Sequence, residues 1–364
     1  MPLIDRSLLG PGPSNPYPEA TAALAAPLLG HLDPQFLRVL DETCDRLRAV
    51  WRTGNRRTLP LSGTGSIGME AAFANTVRPG TVVVVAVNGL FGERMCDVAG
   101  RYGADVVRVD HEWGRPVDIA AVLAAHPAPD LVAAVHAETS TGVESDIAGL
   151  AAAVHERGDA LVLADCVTSL AGIEVAIDDW GVDLAYAGTQ KCLGVAPGLS
   201  PFTINDRAWA RRVVKPPTWY LDLGMIGDYV AADPSGGRTY HHTAPVAMIA
   251  SLHAALGRIL DEGLPDVLAR HRTAGERLLA GLVDLGLRPF ATEGHRLPEL
   301  TTVWVPDGVD SAKIRHRLLT EYDIEIGGGV GRYAGTVWRI GLMGHNARLD
   351  RAELVLAALR AVLA

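Results

Sequence analysis

The stretch DLAYAGTQKCLGVAPG, Asp183 to Gly198, contains Lys191, one of only three lysines in a chain of 364 residues. The others are Lys215 and Lys313, and arginine supplies nearly all the remaining positive charge. Small apolar residues that give way to polar ones read as a buried strand ending in a loop. Lys191 is then the terminal residue of a strand-like segment. The same pattern recurs upstream: ALVLAD (160–165) ends on Asp165, and DLVAAVHAE (130–138) ends on Glu138.

Around these segments, strand and helix patterns alternate. PQFLRVLDETCDRLRAVW predicts a helix from Asp33 or Pro34 to about Trp51, with Phe36, Leu37, Leu40, Leu47 and Val50 near helical spacing. LPLSGTGSIGMEAAFANTV reads as a strand end, a glycine turn and a helix. TVVVVAV (81–87) reads as a buried strand, NGLFGER opens another helix, and ADVVRVD is a short strand. Such alternation predicts an α/β fold, a mostly parallel central sheet sandwiched by helices. Ligands gather beyond the carboxyl ends of such strands. Thr64, Ser66, Glu138, Ser140, Asp165, Gln190 and Lys191 are therefore the polar residues of interest. Beyond GGRTYHHTAP (236–245) come longer helical stretches and shorter strands, which suggest a smaller α+β domain. The expected division is an N-terminal arm over 1–20, a large domain over 21–257 and a small C-terminal domain over 258–364.

Composition narrows the function. The chain is 48% hydrophobic, with a formal net charge of -9 and a pI near 5.7. Nucleic acid and anionic membranes are poor partners for such a surface. The apolar run at 81–87 is too short to span a bilayer, and the first residues lack the apolar core of a secretory signal. Four cysteines, Cys44, Cys96, Cys166 and Cys192, form no CxxC pair. A reducing, cytoplasmic setting is expected.

Three features together carry chemistry. In SGTGSIGMEAA, helix-start amides and the Thr64 and Ser66 hydroxyls can cradle a phosphate. The same residues also read as a tight turn with a capping side chain. Asp165 can cap a loop, bind a metal or pair with a basic heterocycle. His136 and Glu138 near it do not make a known ligand spacing, so no metal is expected. Lys191 can form a Schiff base with an aldehyde, or carry protons at a substrate α-carbon. A phosphate turn, a strand-end aspartate and a strand-end lysine jointly fit pyridoxal phosphate, with the aspartate keeping the pyridine nitrogen protonated.

The chain resembles the alanine–glyoxylate and serine–glyoxylate aminotransferases, in the class V branch of fold-type I pyridoxal-phosphate enzymes. LLGPGPSN, LPLSGTGSIGMEAAFANTVRPG, NGLFGER, ETSTGV, LADCVTSLAG, GTQKCLGVAPGLSPF, TYHHTAP and IEIGGG with VWRIGLMG carry the likeness, in order from Leu8 to Gly344. The resemblance implies a role for each residue. Lys191 bonds the cofactor and shuttles the proton, and Asp165 meets the pyridine nitrogen. Thr64, Gly65, Ser66 and Gln190 hold the phosphate, and Tyr240 and Thr243 reach it from the other subunit of a homodimer. Ser140 lies near the ring's phenolic oxygen, and Phe91 stacks on the ring. Arg339 clamps the substrate carboxylate, and Gly12 lets the arm's backbone approach the substrate. Some relatives carry histidine at Ser66 and tryptophan at Phe91; both changes bear on cofactor affinity, not on the catalytic set.

The implied reaction moves an amino group from alanine or serine to glyoxylate. Ureidoglycine aminotransferases tend to carry asparagine where this chain has Tyr240, which disfavours that relative. A desulfurase needs a mobile nucleophilic cysteine, whereas Cys166 and Cys192 adjoin Asp165 and Lys191. A silent binding protein has no need of the Lys191, Asp165 and Arg339 set. His241 and His242 are expected to be packing residues. Arg56, Arg57, Arg211 and Arg212 are the candidates for a second carboxylate clamp.

Overall fold

The computed structural model describes residues 4–230 and 237–364. The first three residues of the expected arm, and Gly236 of the 236–245 loop, lie outside them.

Seven strands form the central sheet, in the order Arg57–Ser62, Leu199–Ile204, Leu184–Tyr186, Leu161–Asp165, Leu131–Val135, Val82–Val87 and Asp105–Asp110. The last five pair in parallel, and Leu199–Ile204 runs antiparallel to both its neighbours. Val82–Val87 is buried along nearly its whole length because helices cover both faces of an inner parallel strand. Asp105–Asp110 closes one edge, with Asp105, Arg108 and Asp110 exposed and its three valines half-buried, and such charges suit an edge strand.

Helix Pro34–Trp51 starts where its sequence directs. Asp33 Oδ1 accepts from the Gln35 amide at 2.7 Å, and Pro34 takes the first turn, where no backbone donor is needed. Its inner face buries Phe36, Leu40, Leu47 and Trp51.

A smaller three-stranded sheet follows, with Leu300–Trp304, Val337–Gly341 and Gly327–Gly328 in antiparallel order. Among the described residues two large apolar cores and one small cluster result. The largest runs from Tyr17 to Val267, the second joins Leu9 to residues between Ala274 and Val362, and the small cluster gathers Ala137, Ile173, Cys192, Leu297, Leu300 and Met343. The change of core falls inside helix Leu264–Asp284, whereas residue 258 lies inside helix Val246–Glu262. The N-terminal segment joins the two: Ser7–Leu8 pairs in parallel with Ile324–Glu325, and Tyr17 and Ala20 pack into the larger core.

Candidate active site

The sheet's carboxyl edge brings Lys191, Asp165 and Glu138 together, but Lys191 is not at a strand end. Its strand stops at Tyr186, and Thr189–Leu193 forms a turn closed by Val195 N donating to Thr189 O at 3.1 Å. The lysine is 8% exposed, and its Nζ donates to Pro11 O. Burial, and then the charge of Arg339, pull its pKa down to about 8.

The N-terminal segment lies directly on this amine. Gly12 has φ +103°, and a Cβ there would stand 2.6 Å from Lys191 Nζ. Only glycine fits. Ser14 fastens the segment, its amide donating to Gln190 O at 3.0 Å and its hydroxyl to Lys191 O at 3.1 Å.

Asp165 is 3% exposed at the end of its strand. One oxygen accepts from the Val167 amide at 2.9 Å, the other from the Tyr186 hydroxyl at 2.8 Å. Burial raises its pKa to about 6 against the pull of those hydrogen bonds. Tyr186 was not legible as a site residue; it reads simply as an apolar strand position.

Glu138 is fully buried and acts as a local organiser. It accepts from the Phe91 amide at 3.1 Å, the Ser140 amide at 3.0 Å and the Ser140 hydroxyl at 2.6 Å. Burial raises its pKa to about 7. Ser140 Oγ gives its proton to Glu138 and accepts from the Leu90 amide at 2.9 Å. Glu138 is not the end of the central strand, which stops at Val135; it lies in the short strand Ala137–Glu138, paired with Val143–Glu144, and from there orders the Phe91 turn, a role not assigned to it from sequence.

Thr64 precedes helix Gly65–Thr76 with its hydroxyl making no cap bond. Thr64 and Ser66 are exposed, and Gly65 is buried, where a Cβ would strike Val167 Cγ2 at 2.7 Å. The buried Gln190 Oε1 has no partner. An uncapped helix start beside the Thr64 and Ser66 hydroxyls suits a phosphate, so these residues fit pyridoxal phosphate.

Arg339 projects from Val337–Gly341. Its Nε donates to Gly328 O at 2.8 Å and one Nη to Thr139 O at 3.2 Å. Among the described residues it makes no ion pair. Burial lowers its pKa to about 10. Arg315 lies on the opposite face of this sheet, against Gly328, which pairs with Trp338 rather than with Arg339.

Of the four arginines considered for a second clamp, three are engaged elsewhere. Arg57 pairs with Asp206 and, like Arg212, covers Trp209; Arg211 donates to Asp159 O. Arg56 borders a different cavity, beside Arg48 and Gly227. A cavity of about 920 Å³ also lies away from Lys191, between helix Leu264–Asp284 and the 172–175 loop, so volume alone points to another face.

Tyr240 is 55% exposed, and its hydroxyl lies 3.4 Å from Thr243 Oγ1. Among the described residues neither hydrogen-bonds to the 64–66 turn of its own chain. His241 stacks on Trp219 at 4.3 Å, and His242 Nε2 meets Ser62 Oγ at 3.1 Å. Burial raises all four thiols, Cys44 to about 12 and Cys96 to about 11, and none is poised as a nucleophile.

A buried amine of lowered pKa, a strand-end aspartate and an unpaired arginine, set between a parallel sheet and a smaller domain, define a fold-type I enzyme of amino-group transfer. Residues 17–345 match the family Aminotransferase class-V, and the chain belongs to it. It is similar to a solved alanine–glyoxylate aminotransferase from Nostoc sp., with TM-score 0.96 and 45% identity over 100% of this chain and 97% of that one. It is 37% identical to the alanine–glyoxylate aminotransferase of Drosophila melanogaster, over 97% of this chain and 91% of the relative. The (S)-ureidoglycine–glyoxylate transaminase of Bacillus subtilis (strain 168) is 36% identical, over 98% and 90%. Identity alone does not separate these two activities. The family and its structural neighbours imply pyridoxal phosphate, with amino acids and keto acids as substrates. Among the described residues, no helix is long and apolar enough to cross a membrane.

Proposed function

We propose that this aminotransferase uses pyridoxal phosphate to move the amino group of a small L-amino acid, alanine or serine, to glyoxylate. The observation that carries the reading is Lys191 lying buried beneath Gly12, within the electrostatic reach of Arg339. When bound, pyridoxal phosphate supplies an aldehyde for the donor's amine and a ring that accepts the electron pair left by the α-proton.

The chain's own groups do the rest. At a pKa of about 8, roughly a tenth of Lys191 is neutral at pH 7, far more than for an ordinary lysine. That neutral amine takes the α-proton and returns it. Asp165, held by Tyr186 and the Val167 amide, would pair with the ring nitrogen. Ser140, tied to Glu138, would serve the ring's phenolic oxygen, and Phe91 would give the ring an apolar face. Thr64, Gly65, Ser66 and Gln190 would hold the phosphate. Arg339 receives the substrate carboxylate through its planar fork. None of Arg56, Arg57, Arg211 and Arg212 stands at this site to take the distal charge of a dicarboxylate acceptor, which favours glyoxylate.

A homodimer goes with this reading, Tyr240 and Thr243 completing the partner's phosphate site. Its support is an exposed apolar surface. Trp219 is 59% exposed and Tyr240 55%, with Val214, Tyr220 and Met225 exposed in the same segment. His31 at 5.3 Å from Tyr240 ties in the exposed Leu28 and Leu32. Four unpaired cysteines, three of them buried, accord with a reducing, cytoplasmic setting. The division into an arm over 1–20, a large domain over 21–257 and a small domain over 258–364 goes with this reading; its support is the change of apolar core just beyond the last boundary, in helix Leu264–Asp284.

The test loads the enzyme in its pyridoxamine form and mixes it with one keto acid at a time. Second-order rates are compared for glyoxylate, pyruvate and 2-oxoglutarate; the pyridoxal-phosphate form is then mixed with alanine, serine or ureidoglycine, one donor at a time. Faster turnover of 2-oxoglutarate than of glyoxylate refutes the acceptor. Preference for ureidoglycine refutes the donor.

A further inference from the structure

We infer that Arg94 is the cation that holds the cofactor's phosphate, an inference that rests on the pyridoxal-phosphate reading above. A phosphate monoester carries about -1.5 to -2 charges near neutral pH. The groups gathered for it are neutral: the Thr64 and Ser66 hydroxyls, the Gln190 amide and the first amides of helix Gly65–Thr76. A helix start offers roughly half a positive charge. Lys191 donates to Pro11 O instead, and Arg339 is bound to Gly328 O and Thr139 O. The charge balance calls for a further cation.

Arg94 stands beside this set. It lies in the second turn of helix Leu90–Arg101, whose first turn carries Phe91. Its guanidinium carbon sits 4.8 Å from the centre of the Phe91 ring, and Nη1 lies 3.4 Å from Ser66 Oγ. The guanidinium therefore connects the aromatic assigned to the ring with a hydroxyl assigned to the phosphate. Among the described residues Arg94 forms no ion pair. Its neighbours do: Arg108 and Arg332 both reach Glu93, and Arg101 holds Asp97. The Phe91 face orients the planar fork without neutralising it, leaving its charge for an anion. The turn sequence NGLFGER thus supplies two contacts to one cofactor, a ring face and a phosphate partner, one helical turn apart.

The experiment titrates the cofactor-free protein with pyridoxal phosphate and, separately, with pyridoxal, which lacks the phosphate. Absorbance of the lysine-bound form and quenching of tryptophan fluorescence report binding. Arg94→Gln is expected to weaken pyridoxal phosphate roughly ten- to a hundredfold, the range of a charge-assisted hydrogen bond. It should leave pyridoxal unchanged and flatten the salt dependence of pyridoxal-phosphate binding. Arg94→Lys should recover part of the loss, and Arg101→Gln, on the same helix, should change nothing. Circular dichroism checks that each variant is folded. Unaltered pyridoxal-phosphate binding in Arg94→Gln overturns the inference. So does an equal loss for both aldehydes, which makes Arg94 a packing partner of Phe91. If the wild-type protein binds neither aldehyde, the cofactor reading itself falls; failure of Arg94 alone leaves wild-type binding intact.

Discussion

Replacing Gly12 with alanine should disable the enzyme while leaving it folded. The added Cβ would stand 2.6 Å from both Cδ and Nζ of Lys191, about 0.8 Å short of the 3.4 Å where ordinary contact begins. Gly12 also has φ +103°, which an L side chain rarely adopts. Backbone strain of that kind costs about 1–3 kcal/mol. Two ways out exist, and both harm the site. Either the lysine moves by most of an ångström, or the segment lifts and the Ser14 contacts to Gln190 O and Lys191 O loosen. A misplacement of about 1 Å at a reacting group costs on the order of a hundredfold in rate. The expected result is therefore about a hundredfold lower kcat with a melting temperature only a few degrees down. Freeing Lys191 from its cover should also move its pKa up from about 8 toward the ordinary lysine value, because burial is what lowers it. A stopped-flow half-reaction measured against pH reads both quantities. Wild-type rate and an unshifted pH profile in Gly12→Ala would falsify the placement of the N-terminal segment over the amine.

Arg339→Lys keeps the charge but loses the fork, and should lower kcat/KM for every amino-acid donor by about a hundredfold while the bound-cofactor spectrum stays normal; an unchanged donor panel assigns the carboxylate to another residue. Glu299 should make stability fall as pH rises. It is fully buried, among the described residues no side chain partners its carboxylate, and burial raises its pKa to about 8. Between about 5 and 8 the native chain holds a proton that the unfolded chain has released, so unfolding free energy drops by up to about 1.4 kcal/mol per pH unit from this group. Glu299→Gln should flatten that slope in urea titrations at pH 5.5 and 7.5, and an identical slope in the variant contradicts the buried acid. Dilution should separate the proposed dimer and weaken cofactor binding with it; sedimentation showing a monomer of full cofactor occupancy rejects Tyr240 and Thr243 as partner residues.

Much of the fold was readable because its signals are local. Asp33 and Pro34 announce a helix that runs for eighteen residues from Pro34, and four consecutive valines announce an inner strand. The strand Leu199–Ile204 gave no such signal, since Pro201 argues against a place inside a sheet. The structure resolves the conflict by pairing Pro201 directly opposite Pro60. Opposed residues of an antiparallel pair either exchange both hydrogen bonds or neither, so two prolines can face each other at a site that needs no donor. Lys191 shows a related limit. AYAGTQK has the composition of a strand that ends in polar residues, but the chain leaves the sheet at Tyr186 and folds the lysine into a turn.

The site divides along the same line. Lys191, Asp165 and Arg339 could be singled out because each is a chemically marked residue at a predicted sheet edge or within a family motif. What tunes them could not be. Asp165 depends on a tyrosine twenty-one positions away, Phe91 on a glutamate forty-seven away, and Lys191 on a carbonyl one hundred and eighty away. Periodicity carries no information at those separations. Gly12 makes the point most sharply. From sequence it is one glycine of a GPGPSN arm that could cover an entrance or simply be ordered. In the structure, parallel pairing of Ser7–Leu8 with Ile324–Glu325 fixes where the arm runs, and that path leads its backbone onto the lysine. The residue that looks least chemical is therefore placed by a contact with the small domain, and it sets the burial that gives the amine its reactivity.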